Sequence, residues 1–259
     1  MNINKPVERF VKEDIFDLTG SSVDITTGNQ EINDCSRYLQ ISDVPLQNVF
    51  TPVDIIKNDA FQILYQAAQK LHVTGNYATA LKIHFGINNN KICLFYQPVC
   101  LEGGKDISPK FRQYNVKEGE WYAYDSSNNT FVSKNYQAGV KPILNNHKEM
   151  IRVRRSDGEN HHSRFIPSID VEAVIFPCQQ IKKLIANNPN GTHIALFNSI
   201  RKERSLDMPV KHTLLLKSMT VQSSQDVSRM AAPSGGQNGG YENLANLCPP
   251  NEAVVRKLQ

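Results

Sequence analysis

Two apolar segments that flank a run of three asparagines constrain the fold of this chain more than any other feature. Residues 80–87 alternate between apolar and other residues from Leu81 to Phe85, which is the period of a strand with one buried face. Residues 91–99 form a second apolar run. The Asn-Asn-Asn sequence at 88–90 suits a tight turn, because asparagine tolerates a positive φ. An antiparallel β-hairpin is therefore predicted.

A helix is predicted before this hairpin. Thr51 can cap its first turn, Pro52 suits the first helical position, and Asp54 places a negative charge near its N-terminus. Apolar residues then recur at helical spacing, and Gly75 follows as a stop. The apolar stripe consists of Ile56, Ala60, Ile63, Leu64, Ala67, Ala68 and Leu71.

The same order of elements is predicted a second time. A strand at 171–176 precedes a helix that begins at Pro177, and two strands follow at 192–200 and 212–220. An internal duplication accounts for this recurrence, and chance repetition of a common α/β pattern is the alternative. The predicted fold class is α+β, with two related helix-plus-β-hairpin units, antiparallel sheet and a flexible C-terminal arm.

Five regions are expected along the chain. The regions are an N-terminal helix and loop (1–45), a first α+β unit with an aromatic hairpin (46–140), a basic connector (141–168), a second α+β unit (169–221) and a flexible arm and tail rich in Gly, Ser and Asn (222–259). The N-terminal helix rests on the helical spacing of Val7, Phe10, Val11, Ile15 and Leu18. The aromatic hairpin is predicted from strands at 120–125 and 130–134.

Composition excludes several classes of protein. A chain of 259 residues with 40% hydrophobic and 21% charged residues can bury a core and is not expected to be disordered. No apolar run reaches the roughly 18 to 20 residues that cross a bilayer, and the first residues do not read as a secretory signal. Five scattered cysteines without a C-x-x-C pair favour reduced thiols in the cytoplasm over a disulfide scaffold or a zinc site.

The second unit and the tail resemble a group of small bacterial proteins of unassigned function. Those proteins share a short helix, two apolar strands, a polar Asp-Val or Asp-Ile step and a terminal Cys-Pro-Pro. The matching segments here are 181–200, 212–220, Asp226-Val227 and Cys248-Pro249-Pro250, and the second cysteine that such tails often carry is missing. The resemblance implies no activity, cofactor or site residue.

Two groups of residues are candidates for binding. A basic segment could bind phosphates or an acidic partner. A solvated β-turn is the other interpretation, and the alternation of residues 151–154, which suits a half-exposed strand, supports it. Three aromatic residues could form a stacking surface, although packing within a hairpin accounts for them as well. The candidates are Arg152, Arg154, Arg155, His161, His162 and Arg164 in the basic segment, and Trp121, Tyr122 and Tyr124 in the hairpin.

Catalytic and metal-binding signals are weak. His161 and His162 are adjacent and lack a third ligand at regular spacing, so no metal site is predicted. The sequence contains no cofactor-binding motif, so no cofactor is predicted either. Cys178 begins a predicted helix, where the helix N-terminus lowers the pKa of a thiol, and burial as a small hydrophobe is the alternative.

The function predicted from the sequence is that of a non-catalytic, cytoplasmic protein of bacterial type. It binds another protein or assembles with itself, through an exposed strand edge of either unit. A nucleic-acid-binding protein that uses residues 152–164 is one alternative. A thiol-dependent enzyme that uses Cys178 is the second.

Overall fold

Strands dominate the protein. The computed structural model describes residues 10–11, 21–23, 25–46, 51–72, 75, 77–108, 111–156, 163–167, 173–202, 210–221, 241–243 and 246–248. The strands are β1 (Phe10–Val11), β2 (Ser21–Val23), β3 (Leu39–Ile41), β4 (Val44–Pro45), β5 (Asp54–Lys57), β6 (Tyr77–Asn88), β7 (Lys91–Ser108), β8 (Phe111–Glu118), β9 (Trp121–Asp125), β10 (Thr130–Lys134), β11 (Ile151–Ser156), β12 (Ser163–Pro167), β13 (Ala173–Pro177), β14 (His193–Lys202), β15 (Val210–Met219), β16 (Tyr241–Asn243) and β17 (Asn246–Cys248). The α-helices are α1 (Ile25–Asn33), α2 (Cys35–Tyr38), α3 (Phe61–Lys70), α4 (Lys141–Met150) and α5 (Cys178–Asn187).

Three antiparallel sheets organise these strands. The central sheet runs β1-β8-β7-β6-β13-β17, and β9 pairs with both β7 and β10 beside this path. The second sheet runs β2-β16-β15-β14-β5, and the small sheet runs β12-β11-β3-β4. The predicted α+β class with antiparallel sheet is confirmed. Within the described part of the chain, no helix combines the length and the apolar character needed to cross a membrane.

The hairpin around the three asparagines is confirmed. β6 and β7 pair from Tyr77 with Glu102 to Asn88 with Lys91, and the two turn residues, Asn89 and Asn90, have φ values of 50° and 57°. Positive φ at both central residues is the requirement of a two-residue turn that continues the strand twist.

One core joins the two predicted units. Leu81, Ile83 and Phe85 of β6 belong to the same buried cluster as Ile194 and Leu196 of β14. α3 and α5 add side chains to this cluster, namely Phe61, Leu64, Tyr65, Cys178, Ile181 and Leu184. The central and second sheets therefore share a core instead of forming two separate ones. A duplication of the units stays a hypothesis.

Several predicted elements differ from the structure. Residues 54–57 form an edge strand that pairs with β14, so the helix predicted from Thr51 begins only at Phe61. Helices α1 and α2 lie in the loop that was predicted to follow the N-terminal helix within residues 1–45. They form because Ile32 packs against Ala195 and Phe197 of the second sheet.

The two ends of the chain and the basic connector also differ. Residues 141–150 form α4 within the predicted connector, and Phe10–Val11 forms a strand instead of part of a helix. In the predicted flexible arm, 241–243 and 246–248 pair into the second and central sheets. The other residues of the arm and of the N-terminal helix lie outside the described ranges.

Candidate functional site

The hairpin of β9 and β10 carries the three aromatic residues that the sequence singled out. Its strands pair from Trp121 with Lys134 to Asp125 with Thr130. Asp125 holds the connecting turn, since its carboxylate accepts from the backbone N–H of Ser127 at 2.9 Å and from the Asn128 amide at 2.8 Å. The aromatic hairpin predicted from strands at 120–125 and 130–134 is confirmed.

One face of this hairpin packs onto the shared core. Phe131 is buried there, at ring-centroid distances of 4.9 Å from Tyr96 and 5.3 Å from Tyr124. Tyr122 is half-buried against the same cluster. This packing fixes the hairpin to the central sheet.

Two tyrosine hydroxyls of the core face form hydrogen bonds with residues of β5, the edge strand of the second sheet. The Tyr124 hydroxyl accepts from the backbone N–H of Lys57 at 3.1 Å, and the Tyr96 hydroxyl donates to the Asp54 carboxylate at 2.6 Å. Burial raises the pKa of Asp54 to about 7, although the hydrogen bond from Tyr96 acts in the opposite direction. This edge of the second sheet is therefore protected against pairing with another chain.

The opposite face of the hairpin carries Trp121. Its ring lies 4.3 Å from the ring of buried His84 and 5.1 Å from that of Tyr136, between centroids. His84 Nε2 donates to Gln97 Oε1 at 3.2 Å, because the Gln97 amide nitrogen already donates to the Gly119 carbonyl at 3.1 Å. Burial holds the pKa of His84 well below its usual value, so a neutral ring supports Trp121.

An exposed apolar surface lies beside this tryptophan. Val132 lies on the same face of the hairpin as Trp121. Trp121 pairs with Lys134, and Val132 is two residues from Lys134 on the same strand. Val132 is 38% exposed and Tyr136 is 39% exposed. We call Trp121, Val132 and Tyr136 the edge patch.

The outer side of β10 borders the edge patch. In the described part of the chain, β10 pairs with β9 alone. Alternate residues of such a strand direct their N–H and C=O groups away from the sheet. Both ends of β10 are held, by the Asp125 turn and by Asn135, whose side chain accepts from the Ala138 N–H at 3.0 Å. The outer edge of β10 is thus held at both ends and presents backbone groups that can hydrogen-bond to another strand.

The structure divides the predicted aromatic set between two faces. Tyr122 and Tyr124 face the core, whereas Trp121 faces His84 and Tyr136. A single platform of three stacking rings is therefore not present, and Trp121 alone contributes to the edge patch. Whether any of the three contacts a partner stays a prediction.

The predicted basic residues lie on and around β11. Arg152 and Arg154 share one face of this strand, while Val153 packs against a buried cluster on the other. The Arg152 guanidinium donates to the carbonyls of Glu149 and Ile151, which holds it close to the backbone. Arg155 is paired with Arg164 in the strand register. His161 and His162 lie outside the described residues, and binding by this segment stays a prediction.

The reactive-thiol prediction for Cys178 is wrong in its physical premise. Cys178 does begin α5, but it is 1% exposed within the shared core. Burial raises the pKa of its thiol to about 11, which outweighs the effects of Thr79 and Lys182. The thiol is therefore protonated near neutral pH and is enclosed by apolar side chains.

Comparisons with known proteins return no match for this chain. No family model, no curated protein and no solved structure matches it. The resemblance of residues 181–250 to small bacterial proteins stays a prediction, and function rests on the geometry of the site.

Sequence reasoning missed four residues that define the hairpin and its surroundings. Asp54 was interpreted as a helix-terminal charge, and its partner Tyr96 lies 42 residues further along the chain. Val132 could have been found, because alternation along residues 130–134 places it opposite to buried Phe131. Tyr136 follows the strand in a π-helical turn, for which the sequence carries no clear signal.

Proposed function

We propose that the protein binds protein instead of catalysing a reaction, and that its partner is a second copy of the same chain. The observation that carries this proposal is the outer side of β10, which has no partner strand among the described residues and lies next to the exposed edge patch. Strand addition at such an edge supplies backbone hydrogen bonds, and alternate side chains supply specificity.

Self-pairing suits the sequence of β10. An antiparallel two-fold pair centred on Val132 places Val132 opposite its own copy, and Lys134 opposite Thr130. No like charges then face each other within the strand, and two exposed valines are buried together. The cytoplasm stays the expected setting, because the four cysteines whose side chains the structure describes are free, and a bacterial source is expected from the resemblance of the second unit and the tail.

The dimer is expected to be weak. Five edge residues and a small apolar patch offer less area than the roughly 1,200 to 2,000 Å² of a standard interface. We therefore expect a dissociation constant in the micromolar range, which corresponds to a binding free energy of about −8 kcal/mol. A rigid edge lowers the entropic cost of pairing, since the turn at Asp125 and the cap at Asn135 already order it.

Light scattering coupled to size-exclusion chromatography tests the proposal. At about 100 µM, well above a micromolar dissociation constant, the wild type should elute with a dimer mass. Val132→Lys should be monomeric, because two like charges would oppose each other at the centre of the pair. Val132→Thr is the matched control, since it keeps the β-branched shape and should still dimerise. A monomeric wild type at this concentration, or a dimeric Val132→Lys, would refute self-pairing through β10.

A further inference from the structure

A second cluster of chemically active side chains lies in the middle of β7, around residues 100–102. Cys100 and Glu102 are two residues apart and therefore share one face of the strand. His72 follows α3 and reaches the same place. One donor atom from each of the three residues lies within 4.8 Å of the other two.

His72 and Glu102 are arranged as neighbouring ligands and not as a hydrogen-bonded pair. His72 Nδ1 lies 3.4 Å from Glu102 Oε1, yet it is buried and makes no hydrogen bond within the described part of the chain. In a tetrahedral site with bonds of about 2.0 to 2.1 Å, ligating nitrogen and oxygen atoms lie about 3.3 Å apart. The observed separation matches that spacing.

The surroundings hold both of these ligands in place. The ring of His72 stacks on Tyr77 with centroids 3.7 Å apart. Lys117 binds the second carboxylate oxygen of Glu102 at 2.6 Å, which directs Oε1 towards His72. Glu102 is nearly buried, whereas the His72 side chain is 24% exposed, so an ion has access from solvent on the histidine side.

From this geometry we infer that His72, Cys100 and Glu102 bind a single zinc ion. The donors are one imidazole nitrogen, one thiolate sulfur and one carboxylate oxygen, a mixture that zinc accepts and that calcium and magnesium do not favour. Three protein ligands leave a fourth position for water. Binding replaces the S–H proton of Cys100 with a sulfur–zinc bond and releases that proton to solvent. This site is independent of the proposed assembly through β10.

Metal titration of the full chain tests the inference. Chelator-treated protein should bind one equivalent of Zn²⁺ in calorimetry, and Co²⁺ should give a sulfur-to-cobalt absorption band. Magnesium should not compete. Cys100→Ser should lose that band, and Cys100→Ser and Glu102→Gln should each weaken Zn²⁺ binding by at least tenfold.

Matched controls separate the site from other thiols and imidazoles. Cys93→Ser and His193→Gln change partly buried residues outside the cluster and should bind both ions as the wild type does. Circular dichroism tests whether each variant is folded. If Cys100→Ser does not fold, Cys93→Ser decides between the two thiols. A cobalt band that the wild type shows and Cys93→Ser retains supports the inference, and a band that Cys93→Ser loses contradicts it. Absence of Zn²⁺ binding to the wild type, or an unchanged cobalt spectrum in folded Cys100→Ser, would overturn the inference.

Discussion

Asp54 makes the stability of the protein depend on pH in a direction unusual for a carboxylate. Its side chain accepts a 2.6 Å hydrogen bond from Tyr96, and burial raises its pKa from 3.8 to about 7. The folded chain therefore keeps a proton that the unfolded chain loses at lower pH. Between pH 3.8 and 7, unfolding releases this proton, so the stabilising effect of protonation is lost as the pH rises.

Replacing Asp54 with Asn isolates this contribution. Asparagine is nearly isosteric and can still accept the Tyr96 hydroxyl, but it does not ionise. At about 1.4 kcal/mol for each pKa unit, the shift corresponds to roughly 4 kcal/mol, an upper bound because Asp54 is only partly shielded from water. Asp54→Asn should match the wild type at pH 4 and exceed its free energy of unfolding by up to this amount at pH 8.

Urea denaturation followed by circular dichroism between pH 4 and pH 8 measures this difference directly. Subtracting the free energies of unfolding of the two proteins at each pH cancels the contribution of every other titrating group that they share. Asp59→Asn is the matched control, because Lys57 lowers the pKa of exposed Asp59 and the difference should then have the opposite sign. Parallel stability curves for the wild type and Asp54→Asn would refute the reasoning.

Two further substitutions test the packing around α4. Burial lowers the pKa of His147 to about 4, so the free energy of unfolding falls as the pH falls from 6.5 towards 4. His147→Phe should remove up to about 3 kcal/mol of this loss, measured by urea denaturation over that pH range. An equal loss in the variant and the wild type would contradict this. A Cβ added at Gly86 would meet Ile143 Cγ2 at 2.7 Å, so Gly86→Ala should cost about 1 to 3 kcal/mol in urea denaturation. Gly139→Ala, where the added Cβ meets nothing within 4 Å, should be close to neutral, and equal effects at both glycines would argue against the packing described for α4.

Local signals in the sequence predicted the elements whose partners are close along the chain. The Asn89–Asn90 turn and the β9–β10 hairpin each depend on strands separated by a few residues, and both hairpins were predicted, although the sequence did not fix their register. Helix α5 was predicted as well, because Pro177 marks its start and its apolar stripe is regular.

Distant contacts explain the elements that were mispredicted. Thr51 and Pro52 carry helix-opening signals, but pairing of residues 54–57 with β14, some 140 residues away, makes that segment a strand. Helix α1 contains threonines and a glycine that do not favour helix, and Ile32 stabilises it by packing on the second sheet. Likewise, no local pattern brings Asp54 to Tyr96.

Disulfide trapping at the centre of β10 tests the proposed assembly most directly. In the two-fold pair, Val132→Cys would place two thiols opposite each other at a distance compatible with a disulfide, whereas thiols in Lys134→Cys would lie four residues apart, about 14 Å. Non-reducing electrophoresis after mild oxidation should therefore show a covalent dimer for Val132→Cys, well above the wild-type background, and none for Lys134→Cys. Equal cross-linking of both variants, or of neither, would contradict self-pairing in this register.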